Sequence, residues 1–262
     1  MKIIFLNIWK GVEFDALMDF IKRSGETADF FCFQEMTNSP VAGQTKQGGR
    51  TNMFTEISDA LPGFSGYFAR VSTGFDEERH VDYEIMQGQA IFAKKNIAID
   101  SFGEVFVFGE KAAVPEDPEP ENLPAVLQYM RFEKEGKQMT LATVHGIPYP
   151  GNKLDDSNRL EQSRRIISFF EGEKGEKILG GDFNMLPNTE SMRMFEKAGM
   201  NDLIKAYGVT NTRNELAYGT YPEDHRQYFA DFMFVSSGIQ VIDFKVPYCL
   251  VSDHLPMILE VE

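Results

Sequence analysis

Eight short apolar runs, mostly bounded by Gly, Pro, Asn or Asp, do most to limit what this chain can fold into. They are Lys2–Asn7, Asp29–Gln34, Gly88–Lys94, Leu127–Glu133, Gln138–His145, Lys177–Gly181, Phe229–Ser236 and Pro256–Val261. All are β-branched or aromatic in character and read as strands. Four amphipathic segments lie among them. Phe14, Leu17, Met18 and Ile21 recur at helical spacing. So do Met53, Phe54, Ile57 and Leu61, then Ser163, Ile166, Ile167 and Phe170, then Met192, Phe195 and Ala198. Such alternation predicts an α/β fold of mixed sheets with outer helices, as one compact domain over residues 1–262. With 42% apolar residues and 23 phenylalanines, the chain has the material for broad sheet faces packed on one another.

A formal net charge of −14 disfavours non-specific binding to nucleic acid, whose affinity comes mainly from cations meeting phosphates. Bound metal is one way to offset acidic groups, because hard cations are held by carboxylates. Cys32 and Cys249 lack metal-type spacing and read as reduced core thiols. The run after Lys2 is too short for a signal peptide, and no segment reaches the ~18 apolar residues of a membrane span. A cytoplasmic location is expected.

Two stretches read as surface loops long enough to act as a lid or to touch substrate: Gly/Gln/Asn-rich Thr37–Arg50 and acidic Gly109–Pro124. An insertion without function is an equal expectation for either. Arg159, Arg164 and Arg165 read as a solvated helix face, His80 and His225 as exposed, and Trp9 as a packing residue.

Chemistry concentrates where apolar runs stop. Ile178-Leu179-Gly180-Gly181-Asp182-Phe183-Asn184 takes a strand through a Gly pair to a carboxylate and a carboxamide two residues apart. In extended chain that spacing places both on one side, and the glycines let the backbone approach a ligand. An acceptor for a water proton then sits beside a donor for a phosphate oxygen. A plain turn with Asp and Asn as turn formers is the competing reading. Ser252-Asp253-His254 follows Tyr248–Val251 and is expected at a strand mouth. Glu35 closes Phe33-Gln34-Glu35, Asn7 closes the first strand, and His145 closes Thr140–Val144. Singly, each is more often structural; together, at strand ends, they mark a ligand site.

In this order and spacing, with Asp231, the residues resemble the endonuclease/exonuclease/phosphatase superfamily, which includes deoxyribonuclease I, exonuclease III, neutral sphingomyelinases and inositol polyphosphate 5-phosphatases. The resemblance implies a four-layered α/β sandwich, two central mixed β-sheets flanked by helices. It also implies roles. Glu35 would be the main Mg²⁺ ligand (Mn²⁺ able to substitute), with Asn7 in the metal's shell and Asp253 a further metal or water ligand. Asp182 would orient or deprotonate the attacking water, and Asn184 and His145 would hold the phosphate. His254 would meet the phosphate as an acid/base or electrostatic partner, its ring fixed by Asp231.

Departures from the family's branches narrow the substrate. Ala230-Asp231-Phe232-Met233 stands where the 5-phosphatases carry Trp-Cys-Asp-Arg. Abasic-site endonucleases place a tyrosine at the position of His145 and an arginine at that of Phe229. The expected activity is an Mg²⁺-dependent phosphodiesterase or phosphatase, tilted toward a small phosphoester because the 109–124 loop would repel a polyanion. The alternatives are a nuclease acting on DNA or RNA and a non-catalytic binding module on the same scaffold.

Overall fold

In a computed structural model of the protein, residues 1–76, 79–110, 112–114 and 123–262 are described. The described strands are β1 (Lys2–Asn7), β2 (Phe30–Asn38), β3 (Phe64–Thr73), β4 (Phe75–Asp76), β5 (Arg79–His80), β6 (Met86–Lys94), β7 (Ile99–Phe108), β8 (Ala125–Lys134), β9 (Lys137–His145), β10 (Glu176–Asp182), β11 (Met200–Asp202), β12 (Asp231–Ser236), β13 (Val241–Lys245) and β14 (Met257–Val261). The α-helices are α1 (Phe14–Gly25), α2 (Met53–Ala60), α3 (Ser157–Glu171), α4 (Glu190–Lys197), α5 (Leu203–Ala206) and α6 (Glu215–Tyr218).

The strands form two six-stranded mixed sheets, ordered β13-β14-β1-β2-β6-β3 and β11-β12-β10-β9-β8-β7, apart from the small β4–β5 ribbon. Each has one parallel pair at its centre, β1 with β2 and β10 with β9, among antiparallel neighbours. Side chains alternate across a strand, and both faces of the first sheet are apolar. Ile3, Phe5, Phe30, Cys32 and Ile91 point inward onto the second sheet. Ile4, Leu6, Phe31, Phe33 and Phe92 point outward onto Leu17, Ile21 and Ile57 of α1 and α2. Ile166 and Phe170 of α3 and Met192 and Phe195 of α4 belong to the same continuous apolar cluster as the second sheet. The result is an α/β sandwich of two central sheets flanked by helices. Two-sided burial explains why the central strands are continuous apolar runs rather than alternating ones.

Polar side chains also join the sheets. Gln34 Nε2 donates to Thr143 Oγ1 of β9 at 2.7 Å, and Gln89 Nε2 to Thr143 O at 3.0 Å and Val126 O at 3.3 Å. All three residues are buried, so each bond satisfies a group that water cannot reach.

Several expectations need correction. Thr37 and Asn38 belong to β2 rather than to a loop. Cys249 is only half-buried, although both cysteines are free thiols as expected. Arg164 and Arg165 are exposed, but Arg159 is fully buried. His80 and His225 are exposed as expected. The acidic residues Glu116, Asp117, Glu119 and Glu121 of the second loop lie outside the described residues.

Candidate active site

Strand register brings the first three groups together. Asp182 ends β10 directly opposite His145 of β9 on one side and Asp231 of β12 on the other. His145 Nε2 lies 3.7 Å from Asp182 Oδ2. On the facing sheet, Asn7 ends β1 beside Gln34 of β2. The Asn7 amide spans the two sheets, donating to Glu35 Oε1 and to Asp182 Oδ2, each at 3.0 Å. Its Oδ1 accepts from the Trp9 N–H at 3.0 Å, which sets the orientation of the amide. Asn7 thus presents N–H groups, not its oxygen, to the carboxylates.

Glu35 does not close its strand. β2 continues to Asn38, and its register against β6 shifts between Phe33 and Met36. Glu35 sits in this bulge with φ 53°, a conformation that turns its carboxylate toward the cleft. Glu35 Oε1 lies 3.9 Å from His145 Nε2.

Asn184 reaches the site by a turn rather than by extended-chain alternation. Its φ is 53°, its N–H donates to Asp182 Oδ1 at 2.8 Å, and its Nδ2 donates to Gly146 O at 3.3 Å. The turn reading and the site reading of this motif therefore hold together. Gly181 serves packing of β10 on β9 rather than approach to a ligand. Its φ is 134°, and an added Cβ would stand 2.3 Å from Val144 O.

Ser252-Asp253-His254 lies in the turn leading into β14. Ser252 Oγ donates to Asn7 O at 2.7 Å. The segment 212–214 runs alongside, with Asn214 N donating to Asp253 O at 3.2 Å and Leu255 N to Thr212 O at 2.8 Å. His254 Nδ1 is 2.8 Å from Asp231 Oδ2, and its Nε2 is 3.7 Å from Asp182 Oδ2 and 3.9 Å from Asp253 Oδ2. Asp253 is already engaged: its Oδ2 accepts from Arg213 at 3.0 Å.

Burial and charge compete across this cluster. Burial alone would lower the His254 pKa, but Asp231, Asp253 and Asp182 outweigh it and push it up to about 9. Burial raises Asp231. For Asp182, burial is overcome by His254, His145 and Lys153, which hold it down at about 2. Glu35 likewise stays below its ordinary value because Lys10, His145 and the Asn7 amide offset its burial. A protonated imidazole beside ionised carboxylates is the stable state at neutral pH.

The residues open onto a cleft of about 660 Å³. Trp9 and Tyr149 line it, so Trp9 is not merely a packing residue. Lys46 and Gln47 bring the first long loop to its wall, and Leu123 and Pro124 bring the end of the second. Six non-glycine residues have positive φ among those described, and five of them, Trp9, Lys10, Glu35, Lys153 and Asn184, line this cleft. Backbone strain is concentrated where side chains must be aimed.

The sequence reading missed Lys153 and Arg213. Lys153 stands alone in a Gly/Asn loop, and Arg213 lies in the polar run Asn211–Asn214, so neither carries a local signal. Lys153 is 6% exposed, and burial lowers its pKa against the pull of Asp182.

As to metal, the potential ligand atoms of Asp182, Asp231 and His254 lie within 4.8 Å of one another. Asp231 and His254 are, however, already bonded to each other through Oδ2 and Nδ1. Glu35 differs: Oε2 has no hydrogen-bond partner among the described residues, and the surrounding donors are carboxylate and amide groups without thiolate. Such a set fits a hard divalent cation.

Residues 4–254 match the Endonuclease/Exonuclease/phosphatase family, and the chain belongs to that family. Its members are hydrolases acting on phosphoesters, and they generally use divalent metals. Solved structures share the fold over the whole chain. A mannosyl-6-phosphatase of Bacteroides thetaiotaomicron VPI-5482 is 18% identical, with a TM-score of 0.68 and 99% of its length covered. A family protein of Leptotrichia buccalis C-1013-b is 17% identical, with a TM-score of 0.73 and 99% covered. The human Nocturnin catalytic domain with bound sulfate anion is 17% identical, with a TM-score of 0.66 and 93% covered. No curated protein sequence matches the chain significantly. No helix among the described residues is long and apolar enough to cross a membrane.

Proposed function

We propose that the protein is an Mg²⁺-dependent hydrolase of small phosphoesters. The observation that carries this reading is the Asn7 amide, which ties Glu35 of one sheet to Asp182 of the other at 3.0 Å each. Residues from the two sheets thereby share one polar centre, with a metal-type carboxylate on one side and an acid/base group on the other.

Glu35 would hold the cation, Asn7 would orient Glu35 through its N–H groups, and Asp253 would bind a metal-bound or free water through the face not given to Arg213. When bound, Mg²⁺ supplies positive charge to the phosphoryl oxygens as negative charge develops there. Asp182 accepts a hydrogen bond from the attacking water. At a pKa near 2 it orients better than it deprotonates. Asn184 Nδ2 and His145 Nε2 donate to phosphoryl oxygens. His254, charged and held by Asp231, faces the phosphate and stabilises the transition state or gives its Nε2 proton to the departing oxygen.

The small-substrate reading is supported by the net charge of −14 and by the fold shared with a mannosyl-6-phosphatase. Free thiols suit a cytoplasmic location, and the apolar core shared by both sheets suits one working unit over residues 1–262. The test is a panel of sugar phosphates, inositol phosphates, phosphodiesters and DNA with Mg²⁺. Small esters should be cleaved, and Asp182→Ala and His254→Ala should each lose about 10³-fold or more in kcat while remaining folded. Robust DNA cleavage that weakens steeply with salt would put the nuclease reading first.

A further inference from the structure

The loop between β9 and α3 is built around a buried arginine. Arg159 donates to Pro150 O at 2.5 Å and to Leu154 O at 2.8 Å. Weaker contacts go to Asn152 Oδ1 at 3.3 Å, Pro148 O at 3.4 Å and Ile147 O at 3.5 Å. Only the planar guanidinium fork can meet so many carbonyls from one buried position. Outside the fork, Leu186 N donates to Lys153 O at 3.0 Å and Gln227 Nε2 to Gly151 O at 2.8 Å.

This clamped loop delivers Lys153. With φ 56° and 6% exposure, the residue lines the cleft wall in the field of Asp182, Asp231 and Asp253. Among the described residues its ammonium makes no hydrogen bond and no ion pair, and Arg213 beside it is committed to Asp253. The stem is buried while the ammonium meets the cleft, held near three acidic groups without bonding to any of them. The loop that carries it is braced at five carbonyl or amide oxygens.

We propose that Lys153 is a phosphate-binding residue that selects terminal phosphomonoesters over phosphodiesters; this rests on the hydrolase reading above. A monoester dianion carries one more charged, unesterified oxygen than a diester. Asn184, His145 and His254 would serve the oxygens that both esters present. Lys153 sits on the wall formed by the 146–156 loop, where the additional oxygen finds a donor and a second ester group would meet Lys153 instead of solvent. Arg159 acts through the loop as a positioning residue.

The experiment compares wild type, Lys153→Met and Lys153→Arg, with Mg²⁺ present. Inorganic phosphate binding is measured calorimetrically, and hydrolysis of p-nitrophenyl phosphate is compared with that of bis(p-nitrophenyl) phosphate. Wild type should prefer the monoester. Lys153→Met should weaken phosphate binding about ten- to hundredfold, a loss typical of one charge-assisted contact. It should also lower monoester kcat/KM far more than diester kcat/KM, and Lys153→Arg should recover part of both. Arg159→Lys should weaken phosphate binding in the same sense. Unchanged phosphate binding and ester preference in folded Lys153→Met would overturn the proposal, as would a wild-type preference for the diester. If wild type cleaves neither of these esters nor any member of the panel above, the hydrolase reading fails, and the calorimetric comparison still judges Lys153. Should the variants not fold, acetylation of wild-type Lys153 read by mass spectrometry decides the point: phosphate should shield it, and no shielding counts against the role.

Discussion

His254 Nδ1 and Asp231 Oδ2 are 2.8 Å apart, with both side chains almost wholly buried. The pair fixes which nitrogen of the imidazole faces the cleft and holds its charge. Asp231→Asn keeps the shape but removes the acceptor charge. We expect kcat to fall by about 10³- to 10⁴-fold, the cost of a comparable substitution in a histidine–aspartate pair. The NMR titration of the His254 ring should move to lower pH. An unmoved titration would show that Asp231 does not hold the proton in place.

Stability should report on His254 and on its neighbour Asp182. His254 rises from 6.5 to about 9 on folding, so its contribution is fully present below pH 6.5 and is lost as pH climbs through 9. Asp182 is held at about 2 against an ordinary 3.8, so its contribution is present above 3.8 and fades as pH drops toward 2. The melting-temperature difference between wild type and His254→Gln should therefore shrink in the wild type's disfavour between pH 6.5 and about 9. The corresponding difference for Asp182→Asn should shrink in acid. Differences that stay flat across both ranges would contradict the assigned shifts.

Metal removal should be visible without any substrate. A ligand at 100 times its Kd adds about 2.7 kcal/mol to stability. Mg²⁺ or Mn²⁺ should thus raise Tm by several degrees, EDTA should abolish the rise, and Glu35→Gln should eliminate the response while leaving the metal-free Tm close to that of wild type. A full metal response in Glu35→Gln would move the cation to another carboxylate.

Gly181 allows no side chain. With φ 134° and a prospective Cβ 2.3 Å from Val144 O, Gly181→Ala must push β10 away from β9 or distort both strands. Urea unfolding should show a loss of at least about 2 kcal/mol, the scale of such strain. Because Asp182 is the next residue, activity should fall in the variant's still-folded fraction as well.

All eight apolar runs appear as strands, each within a few residues of its expected ends, because the central strands are buried on both faces and need continuous apolar sequence. The four longer strands that went unread, β3, β7, β11 and β13, are the edges of the two sheets. Their side chains alternate between core and solvent or are few. In β7, Ile99-Asp100-Ser101-Phe102-Gly103-Glu104 alternates exposed and half-buried positions, which dilutes any apolar signal. The edge position itself is set by pairing with distant partners.

The positions that open the cleft could be named from the chain alone, since Asn7, His145 and Asp182 end apolar runs and Asp253-His254 precedes the last one. Their chemistry could not. Whether Glu35 ends its strand or sits in a bulge, whether the Asn7 amide turns its nitrogen or its oxygen to the site, and whether Arg159 faces water or five backbone and side-chain oxygens were all decided by packing. Residue type and periodicity record local preference and burial. The orientation of a polar group is settled by the partners that tertiary contacts supply, and those partners lie tens to hundreds of residues away, as Asn7 and Asp182 do.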